Sequence, residues 1–246
     1  MNKKKIIYLI YDNTKTLIGA LIIAILIRSL LFQPFYIPSS SMEPTLLVGD
    51  RIFVSKYIYG YSKHSFPFSP DITNKRFFSK LPKRGDLVVF KTPADNRTDY
   101  IKRLIGLPGD TIQFINGELF LNDKKIPRNK NLNEEIIRCG NFLLETDFFI
   151  ETLPNGVQHL VAYKKKGSLQ NTKKFVVPSA HYFLLGDNRD CSKDSRYLDS
   201  VGYVSNLNLV GEAKLIFFSN DTNISSLLKF WNLNKSFRFE RLFKGL

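Results

Sequence analysis

The chain has 246 residues, 43% of them hydrophobic and 24% charged. Those are ordinary globular proportions, and they exclude wholesale disorder, a collagen-like fibre and a multi-span membrane protein. Thirty-six Lys and Arg against 22 Asp and Glu give a net charge of +14, which points to an anionic partner, nucleic acid or lipid, without choosing between them.

The first predicted element is apolar. Behind Lys3, Lys4 and Lys5, the stretch from Thr16 to Phe32 is the longest apolar run, and Leu17 to Ile27 carries no polar side chain. Its length reaches the lower limit for a spanning helix, and it is apolar all round rather than amphipathic. The sequence therefore predicts a transmembrane anchor over 16–33, with 1–15 as a cytoplasmic tail. Lys3, Lys4, Lys5 and Lys15 precede the span, and the first basic residue beyond it is Arg51. The positive-inside rule then places the N-terminus in the cytoplasm and the rest outside. Arg28, near the far end, is expected to snorkel to the interface. A cleaved leader needs small residues at its end, but bulky Gln33-Pro34-Phe35-Tyr36-Ile37-Pro38 follows, so the anchor is read as retained.

Beyond the anchor the chain reads as mostly β. Runs at 51–59, 86–91, 100–107, 111–115, 117–122, 181–185 and 209–218 are short and rich in β-branched, aromatic and Leu residues. Asn116-Gly117 predicts a tight hairpin, because both central residues of such a turn take positive φ; Asn155-Gly156 is a second candidate. Residues 58–84 read as a loop, and 123–141 and 164–174 as polar connections or ribbon ends. The tail 221–246 interleaves Lys229, Lys235, Arg238, Arg241 and Lys244 with Phe230, Trp231, Phe237, Phe239 and Phe243. That pattern fits a membrane surface or a terminal packing segment.

Four segments carry chemistry: Pro38 to Thr45, Lys83 to Phe90, Tyr100 to Asp110 and Gly186 to Arg196. A serine becomes a nucleophile only if a neighbour takes its proton. His64, His159 and His181 stand in no carboxylate-framed segment, although a Ser-His-Asp triad assembles in space and stays open on the residues alone. The other candidate base is Lys102, which strand alternation places with Leu104 and opposite Ile101 and Arg103. Burial disfavours the charged amine and can lower its pKa by about 3 units or more, yet a lone lysine is usually a solvated surface charge. Asp187, Asp190 and Asp194 lack the spacing of a calcium loop, so no metal site is expected. Ser226-Leu227-Leu228-Lys229 matches the Ser-x-x-Lys of penicillin-binding enzymes without their companion motifs.

In order behind the anchor, these segments resemble the boxes of type I signal peptidase, the bacterial leader peptidase family. The matches are Ser-x-Ser-Met-x-Pro-Thr, Lys-Arg-Gly-Asp, Tyr-Ile-Lys-Arg-x-x-Gly-x-Pro-Gly-Asp and Gly-Asp-Asn-Arg-Asp-x-Ser-x-Asp-Ser-Arg. The resemblance implies a membrane-anchored serine endopeptidase, with no cofactor, metal or nucleic-acid partner. Its partners would be preprotein signal peptides and the lipid bilayer, at the outer face of the bacterial inner membrane. It implies a mostly β fold, a coiled sheet of the signal-peptidase and LexA-like kind over 34–220, with a smaller β subdomain inserted at about 114–174. Residue by residue, Ser41 would be the nucleophile and Lys102 a neutral general base. Ser39 would serve the oxyanion hole beside the Ser41 N–H, and Ser192 would orient the lysine amine. Asp194 and Arg196 would form a supporting ion pair, with Asp187 and Arg103 nearby. Phe35, Ile37, Met42, Leu46, Tyr100 and Ile101 would shape shallow pockets for small residues at the first and third positions before the cut. A LexA-type repressor would instead be soluble and carry a DNA-binding domain, and a non-catalytic anchored binding protein would not need both Ser41 and Lys102. Cys139 and Cys191 either pair outside the cytoplasm or leave Cys191 free beside the site.

Overall fold

The computed structural model describes residues 3–71, 73–140, 142–164, 171–220 and 237–246. Helix α1 spans Lys3–Leu30. Within it, Tyr11–Leu30 is long and apolar enough to cross a membrane, with a mean hydropathy of 1.5 and 6% of it buried against the rest of the chain. The apolar helix thus begins earlier and ends sooner than the expected 16–33. Pro34 accounts for the early end, because its ring disfavours helical geometry at Gln33, and Phe32–Tyr36 forms strand β1 instead. Tyr61 Oη donates to Leu30 O at 2.9 Å and Lys56 N to Leu31 O at 3.0 Å, fastening the helix end to the β domain.

The other strands are β2 (Asp50–Ser55), β3 (Leu87–Lys91), β4 (Asp99–Gly106), β5 (Thr111–Ile115), β6 (Glu118–Leu121), β7 (Lys124–Lys125), β8 (Arg128–Cys139), β9 (Phe142–Thr152), β10 (Gln158–Lys164), β11 (Phe175–Val176), β12 (His181–Leu185), β13 (Val204–Ser205), β14 (Leu209–Ser219) and β15 (Lys244–Gly245). The main sheet runs β1-β2-β14-β3-β4-β12-β13, with β15 against β14. Register shifts in β14 between Ala213 and Leu215 and between Ile216 and Phe218 add the local twist that bulges bring. The sheet curls so far that β1 and β4, with three strands between them, line one cavity. Strand β3 shows how the core is divided. Leu87 and Val89 join Met42, Leu46, Ile52 and Val54, whereas Val88 and Phe90 pack with Leu104, Leu184 and Leu209, as period-two alternation demands.

Between β4 and β12 the chain builds two smaller sheets, β11-β5-β6-β7 and the ribbon β10-β9-β8. Asn116 (φ 50°) and Gly117 (φ 75°) close the β5–β6 hairpin. At the second turn, Leu153 N donates to Val157 O at 2.9 Å, joining β9 to β10. Residues 123–141, read from sequence as connections or ribbon ends, supply β7 and the 12-residue β8. A ribbon strand satisfied by backbone pairing, here Arg128↔Glu151 through Cys139↔Phe142, needs no apolar period, and so its polar sequence left the length of the strand open. The ribbon sits on the Gly186–Arg196 segment: Ala162 N donates to Asp187 O at 2.8 Å, and Arg189 N to Ala162 O at 2.9 Å. A disulfide between Cys139 and Cys191 pins the far end of β8 to that segment.

Of the basic aromatic tail, Lys229, Phe230, Trp231 and Lys235 lie outside the described residues, as does Ser226-Leu227-Leu228-Lys229. The described part packs on the sheet. Phe237 bridges to Asn220, and the Arg241 guanidinium clasps the buried Asp50 carboxylate, with Nε 3.1 Å from Oδ1.

Candidate active site

The connection from β1 to β2 makes a short 3-10 turn, Ser40–Met42, entered through an extended Ser39. The carbonyls of this turn have outside partners. Asn188 Nδ2 donates to Ser40 O and Asn188 N to Ser41 O, each at 3.2 Å. One residue of the Gly186–Arg196 segment therefore grips the turn twice and fixes where Ser41 points. Ser41 is buried, and Lys102 comes to it from the middle of β4. Lys102 Nζ lies 2.6 Å from Ser41 Oγ and donates to Ile101 O at 3.0 Å. Lys102 is 3% exposed. Burial lowers its amine from 10.5 to about 8, although the Asp194 and Asp187 carboxylates pull the other way. A fraction of the amine is thus neutral near neutral pH, with a hydroxyl in contact. Ser39 Oγ lies 3.4 Å from Ser41 Oγ.

Two buried ion pairs stand behind this contact. Arg103 grips Asp187 with Nε to Oδ1 at 2.8 Å and Nη2 to Oδ2 at 2.7 Å. Arg196 grips Asp194 with Nε to Oδ1 at 2.8 Å and Nη2 to Oδ2 at 2.9 Å. Bidentate pairing of this kind is strong and directional, and both carboxyls are held below the usual carboxylate range by those guanidinium groups against the opposing effect of burial. Alternation does turn Arg103 away from Lys102, but that face is covered too, and Arg103 is buried. Ser192 is buried beside Asp194; its Oγ forms no well-made hydrogen bond, and none reaches Lys102. The place a Cβ on Gly186 would take lies 2.2 Å from Ser192 Oγ and 2.5 Å from Ser41 O, so only glycine fits there. None of the three histidines bonds to Ser41: His64 meets Ser69, His159 lies near Glu151, and His181 meets Ser179.

A cavity of about 410 Å³ opens in front of the Ser41–Lys102 contact. Phe35, Ile37, Tyr100 and Ile101 line it, as the sequence anticipates, together with Ile52 and Val89. Met42 and Leu46 do not. They are fully buried in the core underneath, because the 3-10 turn sends Met42 inward while Ser41 faces the cavity. Sequence reasoning also passed over Asn188, Gly186, Thr45 and the Glu151–Arg189 pair. The first two lie inside the Gly-Asp-Asn box itself, and that was a usable signal. Thr45 donates to Asp187 Oδ2 at 2.6 Å. Arg189 Nη1 lies 2.7 Å from Glu151 Oε1, tying ribbon to box.

The sequence profile of the family described as signal peptidase, peptidase S26, matches residues 10–218. The chain belongs to that family. Signal peptidase I of Rickettsia typhi is 41% identical over 268 residues, covering 96% of this chain and 97% of that protein. Signal peptidase I of Rickettsia prowazekii is 42% identical over 246 residues, covering 91% and 89%. A crystal structure of a signal peptidase I from Enterococcus faecalis is 27% identical, at a TM-score of 0.31, and covers 54% of this chain and 97% of that one. Family membership makes the chain a peptidase, a hydrolase of peptide bonds.

Proposed function

We propose that the chain is a membrane-anchored serine endopeptidase that removes signal peptides from exported preproteins. Ser41 is the nucleophile and neutral Lys102 its general base. The observation that carries this reading is the buried Lys102 amine, 2.6 Å from Ser41 Oγ, with its proton affinity lowered to about 8. Ser41 Oγ attacks the scissile carbonyl as Lys102 Nζ takes its proton. The oxyanion that forms is stabilised by the Ser41 N–H and the Ser39 hydroxyl. Collapse returns the proton from Lys102 to the departing amine and leaves an acyl-serine. Water then attacks the acyl carbon, losing its proton to the same lysine, and as the acyl–Oγ bond breaks Lys102 returns that proton to Ser41 Oγ. Arg103–Asp187 and Arg196–Asp194 hold the walls, and Ser192 packs against Gly186 beside the turn that carries Ser41.

The substrate enters as an extended strand. On one side β4 pairs with β3 along Asp99 to Arg103, but β12 covers only Arg103 to Gly106 on the other. The open edge at Asp99–Lys102 can take a substrate strand, with small side chains fitting between Phe35, Ile37, Tyr100 and Ile101. Helix α1 lies in the inner membrane of a bacterium with its N-terminus in the cytoplasm, as its flanking lysines favour, and the β domain faces outward.

The test is cleavage of a preprotein by the purified chain beside Ser41→Ala and Lys102→Ala. Both variants fold and neither cleaves, and kcat/KM of the parent rises with pH to a plateau above about 8. Full activity of Lys102→Ala, or a profile governed by a group near the histidine value of about 6.5, would sink the dyad.

A further inference from the structure

Arg28 is the charge left over from the sequence, set in the last turn of an apolar helix. Its exposed side chain meets no carboxylate among the described residues. It lines a second cavity, of about 420 Å³, where the end of α1 meets the β domain. Lys91, from the end of β3, and Arg97, from the turn before β4, line the same space, with His64 and Ser69 from the loop after β2. Asp99 is the only carboxylate in this lining. It is engaged by Lys91, whose Nζ lies 2.9 Å from Asp99 Oδ2 and also donates to Arg97 O at 2.6 Å. Arg28 and Arg97 are therefore left as two uncompensated guanidinium groups facing one polar chamber.

One neighbouring group registers the charge of Arg28, and a second responds to the other cations nearby. Buried Lys56, whose Nζ donates to Ser65 O at 2.6 Å, is lowered to about 8 by burial and then by the charge of Arg28. His64 is lowered to about 4 by burial, then by Lys63 and Lys91. The rim has the opposite character. Phe66, Pro67 and a fully exposed Phe68 stand at its edge. An apolar lip over a cationic floor, beside the end of a membrane-length helix, is the complement of an amphiphile with an anionic head.

We propose that this cavity binds the phosphodiester headgroup of an anionic bilayer lipid through Arg28 and Arg97. Guanidinium groups pair with phosphate oxygens bidentately, and the acyl chains would run down the exposed flank of α1. The proposal rests on the reading that α1 lies in a bilayer. The cavity adjoins the catalytic cleft, with Phe35 and Asp99 as shared walls.

The experiment uses the full chain in nanodiscs of phosphatidylcholine containing a minority of phosphatidylglycerol, beside the double variant Arg28→Gln, Arg97→Gln. Both arginines are exposed and make no side-chain bond among the described residues, so the variant keeps its fold. Native mass spectrometry counts the lipids that leave the disc with the protein. The parent retains phosphatidylglycerol well above its share in the disc, and the variant loses roughly ten- to thirtyfold of that preference. His64, followed by NMR, titrates at higher pH in the mixed disc than in pure phosphatidylcholine, and does so less in the variant. A third arm adds inorganic phosphate to pure phosphatidylcholine discs and leaves His64 unmoved. Lipids retained only in proportion to the disc, equal retention by the variant, or a His64 shift produced by inorganic phosphate alone would each overturn the proposal. A chain that stays out of the discs altogether would instead overturn the anchoring of α1.

Discussion

Replacing Lys102 with methionine separates catalysis from stability, since the buried amine proposed as the general base opposes the fold. Its proton affinity falls from 10.5 in the unfolded chain to about 8 in the folded one. Each unit is worth about 1.4 kcal/mol, so burying the protonated amine destabilises the fold by about 3 kcal/mol at pH 7. Between those two values the unfolded chain holds more protons than the folded one, so stability rises with pH. The penalty is full below about pH 8 and is relieved as pH climbs toward 10.5. Methionine fills similar volume without a charge. It forfeits the contacts to Ser41 Oγ and Ile101 O, about 1 kcal/mol each. The net gain at pH 7 is about 1 kcal/mol, or roughly 2–4 °C in Tm for a chain of this size. At pH 9.5 the relieved penalty is only about 1 kcal/mol by the same linkage, and Lys102→Met becomes no more stable than the parent. Thermal unfolding of the full chain in detergent at the two pH values reads this directly, while peptide cleavage falls by about 10³-fold or more. A Met variant less stable than the parent at pH 7, or a Tm difference that ignores pH, would refute the buried, partly neutral lysine.

Three further outcomes are expected. Ser39→Ala lowers kcat by about 10²–10³-fold with little change in KM, the mark of a lost oxyanion donor; an unchanged kcat in steady-state peptide cleavage removes Ser39 from that role. Gly186→Ala forces a methyl into Ser192 and the Ser41 carbonyl, and displacing the nucleophile by about 1 Å reduces kcat by about 10²-fold, seen beside an unaltered far-ultraviolet spectrum. His159 is buried and held neutral, lowered from 6.5 to about 4 by burial. The unfolded chain therefore takes up the extra proton first, and stability declines by about 3 kcal/mol as pH falls from 6.5 to 4. Denaturant titration across that range shows the slope, and His159→Phe flattens it.

Much of the site was legible because its side chains lie in short, dense segments. Ser41, Lys102, Arg103, Asp187, Asp194 and Arg196 could be named from three of the four boxes by the family resemblance, and the structure pairs Lys102 with Ser41, Arg103 with Asp187 and Arg196 with Asp194. What escaped depends on direction in space. Alternation assigns faces along a strand, but Met42 lies in a 3-10 turn, where neighbouring side chains diverge by about a third of a revolution. Hence it went to the core and not to the pocket wall. Glu151, on a ribbon strand, meets Arg189 across a separation that no local pattern encodes, and the pairing of Cys139 with Cys191 closes a gap of 52 residues. The lengths of the ribbon strands were not legible because backbone partners, and not an apolar stripe, hold them in place.

With α1 in a bilayer and Ser41 as the nucleophile, as proposed above, the brevity of the path between them would give the molecule a measuring function. Eleven positions separate Leu30 from Ser41, and five of the residues between are locked as β1 against β2. At about 3.3 Å per extended residue, Ser41 stands no more than about 36 Å from the last turn of the helix, on a stiff post rather than a tether. A substrate whose own apolar segment occupies the same bilayer starts from the same floor. Enzyme and substrate would then share one datum, and the bond that is cut would be chosen by altitude as well as by side chain.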